Sequence, residues 1–394
     1  MSPRDQQGWM NHKPIAPSVA VLIPDRVQFS AYYGGALARW TYEVYKRLEE
    51  DLRVTVFGFP TRKEDLYPLP YVSHRAGADI CETIARVPLL RRYQHRVWLQ
   101  ALAKHLRQFD VVHIHNRPAW VGWLRTCGYR GPMVLHLQND HLGHWTPEML
   151  DNLASAVDWV VVCSTYLREQ FAPKSPPLAE KARVIFNGVN TQLFYPREDL
   201  RAPRTIFFVG KFVPDKGVLQ LAQAYREVLK AHPDARLVIG GSTGFGTHEE
   251  TPYVWQVREL VESIRRDSGV QVEFAGYLHH DKELPTWFQR ATIFSCPSLF
   301  QEPFGLVNAE AMACATPVVG TNRGGVPEVL ADTGALLDPE DILSFSASLS
   351  HLLSNPDERR RMGYAGYERC RKLFDWDVIA QAWLSLLREA CGFD

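Results

Sequence analysis

Two carboxylates, Glu302 and Glu310, stand eight residues apart in QEPFGLVNAEAMACATPVVG (301–320), a run otherwise apolar enough to be buried. Buried acids need partners. TIFSCP (292–297) reads as a strand and the loop after it carries Glu302. The spacing then predicts a helix opening at 304–306 and ending near 315. Unsatisfied N–H groups and partial positive charge at such a helix start suit a phosphate, and Gly305 lets the backbone approach a ligand closely. Glu302 precedes the helix and Glu310 lies inside it, so the two acids address different parts of one ligand. A carboxylate accepts paired hydrogen bonds from vicinal hydroxyls, such as sugars and riboses carry, at about 1.5–3 kcal/mol per charge-assisted bond. A loop cap at Glu302 and a solvated salt bridge at Glu310 account for the same spacing.

The elements that must position these residues come in two series. Apolar, β-branched runs at SVAVLIP (18–24), RVTVFGF (53–59), VVHIHN (111–116), MVLHLQ (133–138), WVVVCS (159–164) and ARVIFNG (182–188) alternate with amphipathic helical stretches. A second series follows at TIFFVG (205–210), ARLVIGG (235–241), VQVEFAGY (270–277), TIFSCP (292–297), PVVGT (317–321) and GALLD (334–338). The alternation predicts two doubly wound α/β domains with parallel sheets. Asn-Gly, prolines and charges in NGVNTQLFYPREDLRAPR break the pattern and place the boundary near residue 200. The expected organisation is a flexible tail (1–17), a first domain (18–200), a second (201–375) and a terminal amphipathic helix (376–394). Tandem domains of this kind bind ligands between them, at the carboxyl ends of the strands.

A chain of 394 residues has room for two such cores. Lysine plus arginine equals aspartate plus glutamate, 44 against 44, so no global field favours nucleic acid, and an anionic ligand must be held locally. The seven cysteines show no CxxC pairing, which fits a reducing, cytoplasmic setting. The polar start MSPRDQQGWMNHKPIAPS lacks the apolar segment of a signal peptide, and no apolar run reaches the roughly 18 residues of a membrane helix.

EPFGLVNAEAMACATPVV, followed by GGVPE (324–328), resembles the donor-site signature of retaining glycosyltransferases of family 4, which have the GT-B fold. Glu302 and Glu310 match that family's paired glutamates. TIFFVGKFVPDKGV resembles the stretch in which an Arg and a Lys hold the donor pyrophosphate. This gives Gly210, Lys211 and Lys216 those positions, with Lys211 departing from the usual Arg. SAYYGGALARWTYEV (30–44) resembles the first glycine-rich loop, where Gly34 and Gly35 present backbone amides to the phosphates. GGSTGFGTHEETPYVWQVREL, HIHNRP and HLQNDH look closest to the spore-coat or lipopolysaccharide-type subgroup. The glycines after Gly240 fail dinucleotide spacing, since Gly241 is followed by Gly244 and Gly246 without a ribose-binding acid.

The resemblance implies a hexosyltransferase using a nucleotide diphosphate sugar, UDP-hexose above others, without cofactor or metal. Glu302 then holds the donor sugar, Pro303, Phe304, Gly305, Leu306 and Val307 lie along sugar and β-phosphate, and Glu310 holds the ribose. Lys211, Lys216, Glu302 and Gln138 form the catalytic group. Gln138 stands where family members commonly carry a His; it can hydrogen-bond but cannot be a cation or general base. His136, His141 and His144 are the nearby substitutes. Gln138, with Ala315 in place of a usual Gly, also suits a catalytically silent nucleotide-sugar-binding protein, and a GT-B epimerase is a third alternative.

His113 and His115 share a strand face, yet no carboxylate or cysteine completes a tetrahedral metal site with them. Asp375 and Asp377 spell DxD, where helix capping is the plainer role. The basic, aromatic segment 84–109, with Arg91, Arg92 and Arg96, reads either as a solvated helix or as a peripheral docking surface for a lipid-linked acceptor at the inner face of the membrane.

Overall fold

The computed structural model describes residues 16–24, 27–30, 35–58, 66–73, 95–243, 251–270 and 272–392. Gly34, residues 84–94 with Arg91 and Arg92, Gly244, Gly246 and most of the tail lie outside the described residues.

Among the described residues, seven parallel strands make the first sheet: β1 (Ser18–Leu22), β2 (Arg53–Gly58), β3 (Tyr71–Ser73), β4 (Val111–His115), β5 (Met133–Leu137), β6 (Trp159–Val162) and β7 (Ala182–Val184), ordered β3-β2-β1-β4-β5-β6-β7. The second sheet has six: β8 (Thr205–Val209), β9 (Arg236–Gly240), β10 (Val272–Gly276), β11 (Ile293–Cys296), β12 (Val318–Thr321) and β13 (Ala335–Leu337), ordered β10-β9-β8-β11-β12-β13. Every residue of β1, β4 and β5 is buried. Helices on both sheet faces bury alternate residues equally, so continuous apolar runs mark these strands. In both sheets the strand order reverses once, between β1 and β4 and between β8 and β11.

The helices that shape the cleft are α1 (Gly35–Tyr45), α2 (Thr165–Glu169), α3 (Val218–Ala231), α4 (Leu306–Ala313), α5 (Val326–Leu330) and α6 (Trp376–Cys391). Helix α4 opens at Leu306, as the spacing predicts, but stops at Ala313 because Ala315 turns left-handed with φ 51°. The sequence gives no sign of β3, a three-residue edge strand after a proline. Most of the other strands end before their predicted limits, since glycines and polar residues at their carboxyl ends already belong to loops.

The chain returns to the first domain at its end. Phe374 accepts the Val189 N–H at 2.6 Å, and Trp376 donates to Val189 O at 3.3 Å. Helix α6 then lies against α1: Ile379, Trp383 and Leu387 share a buried cluster with Trp40, Val44 and Tyr45. The Trp383 indole N–H donates to the Tyr45 hydroxyl at 3.1 Å, and Arg47 pairs with Asp377 at 2.5 Å. Among the described residues no helix is long and apolar enough to cross a membrane.

Candidate active site

In an open parallel sheet the crevice outside the strand ends, where strand order reverses, is the natural ligand site. In the second sheet the loops after β8 (210–217) and β11 (297–305) flank that point, and they are tied together. The Asp215 carbonyl accepts the N–H groups of Leu299 at 2.8 Å and Phe300 at 3.1 Å, and the Ser298 hydroxyl at 3.0 Å. Gly217 adopts φ 70°, and a Cβ there would lie 1.9 Å from the Pro297 carbonyl oxygen. Only glycine permits that approach.

The union sets the Lys216 ammonium on the Glu302 carboxylate, with the Ser298 hydroxyl 2.8 Å from the same oxygen. The two side chains are 28% and 13% exposed, so the pair is largely screened from water. Lys211 stands exposed at the start of the same loop, and Gly210 donates to Gly240 O at 3.2 Å. Pro303 and Phe304 are buried, the Phe304 ring turned inward against Phe374, so these residues offer a ligand backbone rather than side chains. Gly305 is the left-handed cap of α4, whose first N–H groups, those of Leu306 and Val307, have no partner within the helix.

The GGVPE turn secures this loop from behind. Gly325 N–H donates to Glu302 O at 2.7 Å, and a Cβ on Gly324, at φ 63°, would lie 2.2 Å from that oxygen. Three residues on, Glu328 crosses to the first domain, its carboxylate accepting the N–H groups of Thr165 at 2.7 Å and Tyr166 at 2.6 Å at the start of α2.

Glu310 is 3% exposed and faces His280, in the loop after β10, at 2.7 Å. The other ring nitrogen of His280 is 2.8 Å from Asp281. Two carboxylate oxygens facing the two ring nitrogens require both nitrogens to donate, so the imidazole is charged. Burial opposes that charge, but Glu310 and Asp281 outweigh it and push His280 up to about 9. Asp281 also receives Arg39 of α1 at 2.5 Å. Burial would raise its carboxyl, yet His280 and Arg39 hold it down at about 2.

Across the cleft, Gln138 follows β5. Its backbone N–H donates to the Asn116 side chain at 2.8 Å, and its amide reaches Asn187 at 3.4 Å. The Cys163 sulfur lies 3.9 Å from the Gln138 carbonyl and 3.8 Å from that of Pro303, which brings the end of β5 against the Glu302 loop. Gly35, at φ 63°, is the first residue of α1, the helix that follows β1.

His136 does not replace the missing histidine of Gln138. It is fully buried, its ring 4.4 Å from Trp40, and burial pushes it down to about 3. His113, His115 and His136 converge in that core, with candidate ligand nitrogens all within 4.8 Å of one another. Thr41 and Tyr45 bond one ring nitrogen each of His115 and His113. The cluster packs against Trp40 of α1 and Trp383 of α6.

Asp375 caps α6 by accepting the Asp377 N–H at 2.8 Å, the plainer of its two roles. In the basic segment, Arg96 starts a helix whose Trp98, Leu99, Leu102 and Leu106 are buried, so its apolar face is spent on the core. Ala315 precedes β12, at the end of the second sheet opposite the strands' carboxyl ends, and turns left-handed there.

Sequence reasoning passed over Arg39, His280, Asp281, Ser298 and Asn116. Asn116 left a trace, an Asn directly after a strand, which is a residue type that tolerates the φ of 48° it adopts. His280 and Asp281 are neighbours in sequence but form no recognisable pattern, and Arg39 lies 242 positions before Asp281.

The model of "Glycosyl transferases group 1" matches residues 197–369, and that of "Glycosyltransferase Family 4" matches residues 33–193. The chain is 26% identical to spore coat protein SA of Bacillus subtilis over 93% of its own length and 98% of that protein. It is 32% identical to alpha-maltose-1-phosphate synthase of Mycolicibacterium smegmatis, with 71% of this chain and 79% of that one covered. Among solved structures, Anabaena Alr3699/HepE in complex with UDP-glucose superposes with a TM-score of 0.72 at 19% identity, over 94% of this chain and 99% of that one. Sucrose-phosphate synthase from Thermosynechococcus elongatus gives 0.71 at 22%, over 95% and 98%. With both domains matched and the paired-glutamate loop at the switch point of the second sheet, the chain belongs to the group 1 glycosyltransferases and has the GT-B fold.

Proposed function

We propose that the protein moves a hexose from a nucleoside diphosphate sugar, UDP-hexose in preference, to a hydroxyl of a glycan, lipopolysaccharide or surface-polysaccharide acceptor, retaining the anomeric configuration. The observation that carries this is the contact of Lys216 with Glu302 at the point where strand order reverses. A cation beside a sugar-binding carboxylate stands where the departing diphosphate gathers charge. The Anabaena neighbour was solved with UDP-glucose and with UDP, which supports a uridine donor here.

In this account residues 18–200 receive the acceptor, 201–375 hold the donor, and 376–394 pack back on the first domain. Glu302 binds hydroxyls of the sugar and Glu310 those of the ribose. Lys211, Lys216 and the N–H groups of Gly34, Gly35, Gly210 and 304–307 bind the diphosphate. The acceptor oxygen bonds to the anomeric carbon on the face from which the diphosphate oxygen leaves, and the acceptor proton passes to that departing oxygen. The lysines and the start of α4 carry the charge that a metal carries in other transferases. Gln138 orients donor or acceptor by hydrogen bonding. The membrane-surface role of residues 84–109 belongs to the same proposal; liposome binding with Arg91, Arg92 and Arg96 all replaced by Glu tests it, and unchanged binding contradicts it.

A panel of UDP-, GDP- and ADP-hexoses, assayed with and without a chelator, tests the proposal. One donor should be turned over, undiminished by the chelator, to a product with the donor's anomeric configuration; an inverted product or a lost rate contradicts it. Gln138, which cannot act as a base, favours a second reading as a protein that binds the donor without transferring it; binding of a donor with no turnover would select that reading.

A further inference from the structure

Glu310, read above as the ribose carboxylate, does not stand alone. One of its oxygens is engaged by His280 at 2.7 Å, His280 by Asp281 at 2.8 Å, and Asp281 by Arg39 at 2.5 Å. The first three of these residues belong to the second domain, while Arg39 is on α1 of the first. The Phe194 ring, edge-on to the imidazole at 5.2 Å and itself buried, closes the side of His280 facing the interdomain segment. Asp281 Oδ1 is the shared acceptor of His280 and Arg39.

The chain therefore crosses the cleft and ends on the group that meets the nucleotide. An acid held by one oxygen presents its other oxygen in a fixed direction, whereas a free carboxylate must lose rotational freedom on binding. Separation of the domains removes Arg39 from Asp281. Asp281 can then turn to solvent, His280 loses the partner of its second nitrogen, and Glu310 is no longer oriented.

We propose that Arg39 is a positioning residue for donor binding, supplied by the opposite domain and acting through Asp281 and His280 on Glu310. Nucleotide affinity is then higher when the domains are together, and by linkage the nucleotide favours closure. This rests on Glu310 as the ribose acceptor.

The test is calorimetric titration of the full chain with UDP, GDP and ADP, followed by variants titrated with whichever binds most tightly. Arg39→Ala should weaken binding about fivefold and His280→Gln about tenfold, as the loss of one charge-assisted link predicts. Arg39→Lys should recover most of the loss, which a general defect in folding would not allow. In a double-mutant cycle, Asp281→Asn should add little to Arg39→Ala, because both break the same link. Arg39→Ala within twofold of the wild type, beside a Glu310→Ala weakened more than tenfold, overturns the positioning role and leaves the ribose assignment standing. Unchanged binding in Glu310→Ala, or no nucleotide bound by the wild type, overturns the ribose assignment and the positioning role with it.

Discussion

Lys216 and Glu302 meet across the reversal point of the second sheet, one carried by the loop after β8 and the other by the loop after β11. Neither loop holds this position alone. Three bonds to the Asp215 carbonyl and the Gly217 backbone against Pro297 fix the pair before any ligand arrives, and preorganisation of this kind is what lets a charged group act on a transition state rather than on bound substrate.

Replacing Lys216 by Ala removes the cation proposed to meet the departing diphosphate and also releases Glu302. Turnover should fall about 100- to 1,000-fold. Glu302→Ala should lower kcat by a similar factor, and the double variant should be little worse than either single one. Steady-state kinetics on the three variants check this; losses that multiply would mean the two residues act independently.

Glu328 caps the start of α2 across the cleft with two backbone bonds. Loss of a helix cap costs about 1 kcal/mol, and here the loss falls on the union of the domains. Glu328→Ala should enlarge the radius of gyration in solution scattering and speed amide exchange at Thr165 and Tyr166. Unaltered exchange there would show the contact to be idle.

Ala315 holds φ 51°, a conformation that opposes its Cβ. Ala315→Gly should stabilise the protein by about 1 kcal/mol, read as a higher denaturant midpoint, with kcat unchanged. A lowered kcat in Ala315→Gly would instead tie this turn to the site.

His280 is raised from an unfolded value of 6.5 to about 9. A raised cation stabilises the fold fully below about pH 6.5 and ceases to do so as pH rises through about 9. Wild-type protein should lose about 3 kcal/mol more than His280→Gln between pH 6.5 and 9.5. Glu310, Asp281 and Arg39 surround the ring. Parallel pH curves for the two proteins would place the ionisation elsewhere.

The paired-glutamate loop was legible because its pattern is local. EPFGLVNAE sets a loop acid, a helix start and a helix acid within nine residues, and the strand–loop–helix alternation around it is periodic. The first sheet was legible for the same reason, apart from the three residues of β3. The contacts that unite the domains were not. Arg39 and Asp281 are 242 positions apart, and Glu328 and Thr165 are 163. Each pair meets only after two sheets have formed and faced each other, so no spacing encodes them. His136 misled for the opposite reason: it is close to Gln138 in sequence, but the strand carries it into the core with Trp40.

The central claim, that this reversal point is a sugar-donor site, is tested most directly by following cleavage of the sugar–phosphate bond in labelled UDP-, GDP- and ADP-hexoses by the wild type and by Glu302→Ala. The account predicts that one donor is cleaved, and that Glu302→Ala cleaves it at least about 100-fold more slowly while still binding it. Equal cleavage by the two proteins would contradict it.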